Sequence, residues 1–176
     1  AAYVLLPVTG HEALISFNVN LLVFLYLMMF PRISLFCAGW FTTNRFGAVG
    51  SFRVLTQLFG YEVPLFLACT GSVIQAGSLR ISDIVAYQRE HGPLILTNII
   101  GLIIAILAVQ AKLERVPFDI PEAETEIVSG HIVEFSGARL AIFNLARDAQ
   151  LVAASGLIAS LWLGGAGWLN SPLGFI

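Results

Sequence analysis

Six of the chain's eleven acidic residues fall between Glu114 and Glu134. Most of them lie in the stretch Glu114-Arg115-Val116-Pro117-Phe118-Asp119-Ile120-Pro121-Glu122-Ala123-Glu124-Thr125-Glu126, with Lys112, Arg115 and Arg139 among and beside them. Carboxylates this close together disfavour one another's ionised form. A cluster of this kind either holds protons or grips a basic partner surface. Pro117 and Pro121 bracket Phe118-Asp119-Ile120, and residues before proline prefer extended backbone. Pro121 fits the first turn of a short helix, Glu122 to about Val128, closed by Gly130. Glu122 and Glu126 would share a face of that helix, and Glu124 would lie off it. The helix dipole favours acids in a first turn, so a solvated, well-capped acidic helix is the plainer alternative. That alternative does not account for Glu134 and Arg139 flanking Ser136-Gly137.

These acids stand out because the rest of the chain is apolar. The 176 residues are 57% hydrophobic and 11% charged, with mean hydropathy +0.85. A soluble domain carries about 25% charged residues. The pattern predicts an all-α, polytopic membrane helix bundle forming a single membrane domain over 1–176. Four spans are expected at about 17–39, 55–79, 93–111 and 140–165, with the acidic loop at 112–139. Net charge is −2, which gives no reason to expect nucleic acid. Cys37 and Cys69 lie in apolar stretches without metal or redox spacing, so this chain is expected to ligate no iron–sulfur cluster or other metal and to supply no catalytic redox centre. Residues 1–16, broken by Pro7, Gly10, His11 and Glu12, read as a loop.

The first expected span carries Pro31-Arg32. A proline there frees a backbone carbonyl that protein or water must satisfy. The arginine either faces the bundle interior or snorkels to the interface. A polar loop is expected over 40–53, with Trp40 at the interface. In the second span Gln57, Tyr61 and Glu62 precede Pro64, and Glu62 lies roughly 10 Å deep at 1.5 Å per residue. A carboxylate at that depth is either a proton-relay group or one half of a buried ion pair with a neighbouring arginine. The connection 80–92, with Asp83, Arg89, Glu90 and His91, reads as solvated. The third span is plain. Arg147-Asp148 interrupt the fourth, whose membrane part is expected nearer 149–165, with Trp162 and Trp168 at the far interface. Arg45, Arg53, Lys112, Arg115 and Arg139 fall in the two loops of one side, against Arg80 and Arg89 on the other. The positive-inside rule then puts the 40–53 and 112–139 loops in the cytoplasm.

The acidic stretch, followed by Glu134-Phe135-Ser136-Gly137, resembles the signature of the complex I subunit 1 family, the H-type membrane subunit of NADH–quinone oxidoreductase. A similar subunit belongs to the related membrane-bound nickel–iron hydrogenases. Further matches are Ala38-Gly39-Trp40, Gly50-Ser51-Phe52-Arg53, Gln57, Tyr61-Glu62-Val63-Pro64-Leu65, Ala76-Gly77-Ser78-Leu79, Ser82-Asp83-Ile84-Val85 and Leu163-Gly164-Gly165. The resemblance covers about 17–166 and implies a partial form of a longer, eight-helix subunit. It implies a multi-pass protein of the cell inner membrane, a non-redox-centre subunit of a multi-subunit oxidoreductase. Such a subunit joins hydrophilic iron–sulfur and quinone-site subunits to small membrane subunits and antiporter-like subunits. Quinone would bind at the interface with a partner, and the iron–sulfur clusters would belong to partners. Carried over residue by residue, the proton path falls on Glu62, Asp119, Glu122, Glu124, Glu126 and Glu134. Arg53, Gln57, Arg115, Pro117 and Phe118 fall at the quinone chamber or arm interface.

Three features depart from the quinone-type pattern: Ala111-Lys112, where many members have Ala-Glu, and also Pro31-Arg32 and Arg147-Asp148. They lean toward the membrane component of an energy-converting, group 4 nickel–iron hydrogenase, which has a hydrogenase large subunit and no quinone. From other classes come a secondary transporter with broken helices around Arg32 and Glu62, and a structural membrane anchor whose acidic loop only docks a partner.

Overall fold

The computed structural model describes residues 2–7, 17–121 and 130–165. Among them are five α-helices and no strand: α1 (Asn20–Trp40), α2 (Arg45–Ala76), α3 (Ile81–His91), α4 (Ile99–Lys112) and α5 (Gly137–Trp162). Short 3-10 turns cover Ala2–Leu5 and Gly130–Ile132. The all-helical architecture is the expected one. Helices α1 and α2 are long and apolar enough to cross a membrane. Helix α4 has 14 residues, about 21 Å at 1.5 Å per residue, against roughly 30 Å of hydrocarbon. Helix α5 is one continuous element of 26 residues through Arg147-Asp148.

The expected boundaries shift where polar residues cap helices rather than form loops. Residues 45–53, expected as loop, are the first turns of α2. Asn44 starts them, its side-chain oxygen accepting from the Phe46 N–H at 3.0 Å, as an N-cap does. The connection 80–92 is mostly helix α3. Its buried residues Ile81, Ile84, Val85 and Gln88 repeat at the spacing of one helical face, and the charged residues cover the other. Helix α4 begins six residues later than the expected third span. Asn98 accepts from the Gly101 N–H at 3.2 Å and caps it, which leaves 93–98 as a turn.

The chain divides into two compact units. One comprises Ala1–Leu27, Leu65–Ile106 and Val152–Ile176. Its described core gathers Phe24, Ile81, Ile84, Ala105, Leu157, Leu161 and Trp162. Trp162 is fully buried, and its indole N–H donates to the Asn98 carbonyl at 3.1 Å. Gln88, also buried, donates to the Ser160 carbonyl at 2.9 Å. Trp168 lies outside the described residues.

The second unit comprises Met28–Pro64 and Leu107–Leu151 and holds nearly all the residues singled out above. Pro31 continues α1 but cannot donate to the carbonyl one turn earlier. Next to that carbonyl, Gln150 of α5 donates to the Met28 carbonyl at 3.1 Å. Trp40 is half exposed and meets the Phe52 ring edge-on, centroids 5.0 Å apart.

Glycines at two helix ends let the loop backbone approach. A Cβ on Gly50 would lie 2.7 Å from the Gly130 carbonyl carbon and 2.9 Å from its Cα. A Cβ on Gly39 would lie 2.8 Å from the His131 Cβ. The Gly130–His131 backbone thus seats the acidic loop against α1 and α2, and His131 is fully buried there. Because a backbone cannot swing aside as a side chain can, Gly50→Ala is expected to cost about 1–3 kcal/mol, the usual range for overpacking. Chemical unfolding of the detergent-solubilised protein measures this, and faster proteolysis within 112–139 should accompany it.

Candidate functional site

The second unit buries charge where α4 ends. Lys112 is the last residue of α4 and Glu114 follows two residues later. The turn is a Schellman cap: the Glu114 N–H donates to the Ala111 carbonyl at 3.2 Å and the Arg115 N–H to the Gln110 carbonyl at 3.3 Å. Glu114 occupies the left-handed position of that cap, with φ 51°. Glycine ordinarily fills it, because a Cβ there costs about 1–2 kcal/mol. The carboxylate gives a physical reason for a side chain at this position. It ion-pairs with the Arg32 guanidinium of α1, and its other oxygen lies 3.5 Å from Arg147 Nη2 of α5. The second terminal nitrogen of Arg32 donates to the Lys112 carbonyl. Arg32 and the Glu114 side chain are 1% and 2% exposed, so Arg32 faces inward rather than snorkelling.

Beside this triad lies a second pair. Lys112 Nζ is 3.0 Å from Glu62 Oε2 and 5.2 Å from the centroid of the Tyr61 ring. Of the two readings of Glu62, the structure shows an ion pair, with lysine as partner where an arginine was expected. An ion pair and a proton relay are compatible when both partners can titrate. The Tyr61 hydroxyl is buried without a hydrogen-bond partner among the described residues. Charges removed from water persist only when paired and hydrogen-bonded. In this arrangement a segment from each of α1, α2, α4 and α5 contributes to that pairing.

A second layer of polar groups holds the loop 113–121 by its carbonyls. Gln57 Nε2 donates to the Ala111 carbonyl at 2.8 Å and to the Phe118 carbonyl at 2.7 Å. Gln110 donates to the Val116 carbonyl at 2.9 Å, and Arg53 Nη1 lies 3.4 Å from the Ile120 carbonyl. The Val116–Pro117 peptide bond is cis. Pro117 and Asp119 are exposed and Phe118 is half-buried. Arg115 is exposed, 4.0 Å from Asp148. Glu134 is exposed and accepts from the Thr43 hydroxyl at 3.5 Å. Glu134 and Arg139 both line an open groove of about 450 Å³ with Ser34, Cys37 and Phe41.

The structure therefore brings Arg53, Gln57, Pro117 and Phe118 together around one loop, and Glu62 to the buried cluster. Asp119 and Glu134 are exposed. Glu122, Glu124 and Glu126, with the short helix expected over 122–128, lie outside the described residues. Gly130 opens a 3-10 turn. Among the described residues no group of three or more His, Cys, Asp or Glu side chains is placed to hold a metal. Of the buried cluster only Glu62 is among the expected site residues; Arg32, Lys112, Glu114 and Arg147 are not. Their signal is legible in retrospect: Arg32, Glu62, Lys112 and Arg147 are charges inside or at the edge of apolar helices, and such charges seek one another.

The whole chain, residues 1–176, matches the family model for NADH dehydrogenase. It is 36% identical over 169 residues to the H subunit of NADH-quinone oxidoreductase from Brevibacillus brevis, covering 96% of this chain and 49% of the relative. The H subunit from Anoxybacillus flavithermus is 37% identical over 172 residues, 97% of this chain and 51% of the relative. That from Geobacillus kaustophilus is 35% identical over 176 residues, 97% of this chain and 53% of the relative. The chain spans about half the length of these relatives. Matched over its full length by the family model, the chain belongs to the NADH dehydrogenase family, that of the H subunit of NADH-quinone oxidoreductase.

Proposed function

We propose that this chain is a membrane core piece of a complex I-like, ion-translocating oxidoreductase and couples a peripheral redox arm to proton movement in the membrane. The observation that carries this reading is the buried cluster of Arg32, Glu62, Lys112, Glu114 and Arg147 directly behind a loop rich in exposed charge. A charge arriving near the loop acts on that cluster through low-dielectric protein, where electrostatic interactions are least screened. The loop lies on the cytoplasmic side and meets the iron–sulfur subunits of the arm. The chain itself is a membrane protein without a redox centre.

Quinone, when bound at the interface with a partner subunit, supplies the two-electron acceptor. Within this chain Gln57 and Arg53 spend their donors on loop carbonyls. They therefore shape and stiffen the chamber wall, and Phe118 and Pro117 offer apolar surface on the same loop. Glu62 exchanges protons between the loop side and the bilayer interior, while Asp119, Glu134 and the acids of 122–126 gather protons or hold the arm.

Lys112 favours a second reading, the quinone-free membrane component of an energy-converting hydrogenase, because it places a cation where quinone-type members carry an acid. Purification of the native assembly through a tag on this chain separates the two. Iron–sulfur subunits with donor-driven quinone reduction support the first reading. A nickel–iron large subunit with hydrogen evolution moves the assignment to the second. A chain that purifies without any redox subunit removes both.

A further inference from the structure

We infer that the proton-exchanging unit of this chain is the Lys112–Glu62 pair acting together, with Lys112 as the buried reservoir and Glu62 as its port. The inference rests on the reading above and names the groups that carry it. The Lys112 side chain meets Glu62 and the ring of Tyr61 from α2. Around it, Arg32 from α1 donates to the Lys112 carbonyl and pairs with Glu114, which Arg147 from α5 also approaches. Two of these are guanidinium groups, which stay protonated in proteins. The Glu114 carboxylate meets those two guanidinium groups, one at each oxygen. Tyr61 presents its ring face to the ammonium.

Lys112 and Glu62 are a direct ammonium–carboxylate pair, 3.0 Å apart. The proton moves along this contact: the N–H bond at Lys112 Nζ breaks, the O–H bond at Glu62 Oε2 forms, and the pair passes from ionic to neutral without a change in net charge. No co-reactant is needed. The two ends differ in access, the Lys112 side chain being 1% exposed and that of Glu62 19%. Protons therefore enter and leave at Glu62, and Lys112 stores one behind it. An arginine at position 112 would keep the charge and the ion pair but could not release its proton.

Lys112 is the chain's sole lysine, so an Nζ nitrogen label in the full chain gives one side-chain signal. In lipid nanodiscs that signal should change between ammonium and amine with pH, sharing an apparent midpoint with the Glu62 carboxyl infrared band, as coupled sites do. The band is assigned by its loss in Glu62→Gln. A lysine signal that stays ammonium while the carboxyl titrates alone overturns the inference. In the assembled complex, Lys112→Arg should assemble and lose about tenfold or more of its proton transfer per electron, within the range of positioned acid–base groups. Wild-type coupling in Lys112→Arg overturns the inference. If that variant fails to assemble, the wild-type lysine titration decides. A wild-type complex that moves no protons at all removes the functional reading instead, and the shared titration of the pair is still read separately.

Discussion

Replacing Arg32 with methionine is expected to destabilise the protein by about 3–5 kcal/mol, the range for removing one partner from a buried ion pair. The reason is what remains. Glu114 stays buried in its turn, and the Lys112 carbonyl loses the guanidinium donor. Arg147 still reaches Glu114 at 3.5 Å, which should keep the loss from exceeding that range. Glu114→Ala should be damaging as well, because it strands Arg32 and retains a Cβ at φ 51°. Glu114→Gly should be less damaging by about 1 kcal/mol, since glycine accepts the left-handed cap position without strain. This ordering separates backbone from charge, because helix propensity alone would favour alanine. The double variant Arg32→Met with Glu114→Gly should recover much of the loss, with a coupling of up to about 3 kcal/mol. Denaturant unfolding of the four detergent-solubilised proteins measures the cycle. Additive losses in the double variant would show that the pair does not contribute as a unit.

Glu62→Gln is expected to lower proton transfer per electron by about tenfold or more while leaving the complex assembled. Glutamine keeps an oxygen that accepts from Lys112 Nζ, so the contact at 3.0 Å survives as a hydrogen bond without the titrating group. Asp119→Asn serves as the contrast. Asp119 is exposed on the loop, and an exposed charge in an interface acts chiefly on association and its salt dependence. Its loss should let the peripheral arm dissociate at lower salt, and should lower coupling per electron less than Glu62→Gln does in the assembled fraction. The two variants are compared in membrane vesicles by acidification against electron flux, and by retention of the arm after salt washes. Unchanged coupling in Glu62→Gln would remove Glu62 from the proton path.

Helix content and its placement were largely legible in the chain, because long apolar runs leave a backbone little choice but helix. Errors arose at polar residues. Asn44 read as loop and Asn98 as part of the third span, and both cap helices, since an Asn side chain satisfies a first-turn N–H as readily as it makes a turn. The mixed charges of 80–92 hid α3, whose apolar face shows only when Ile81, Ile84, Val85 and Gln88 are placed at 3.6 residues per turn. That Trp162 is buried and donates to the carbonyl of Asn98, 64 residues away, could not be read from its type.

The site divides in the same way. Its members announced themselves by type: Arg32 beside a proline, Glu62 in an apolar run, Lys112 and Arg147 where charge is costly. Which cation meets which carboxylate depends on segments far apart in sequence, as for Arg32 and Glu114 or Glu62 and Lys112, and no local pattern encodes that pairing. The resemblance pointed to the family through a contiguous, proline-bracketed acidic motif. Tertiary structure alone showed that Glu114, the first acid of that motif, is buried among charges from outside it, Arg32 and Arg147. Only folding brings α1, α2, α4 and α5 close enough for charges taken out of water to neutralise one another.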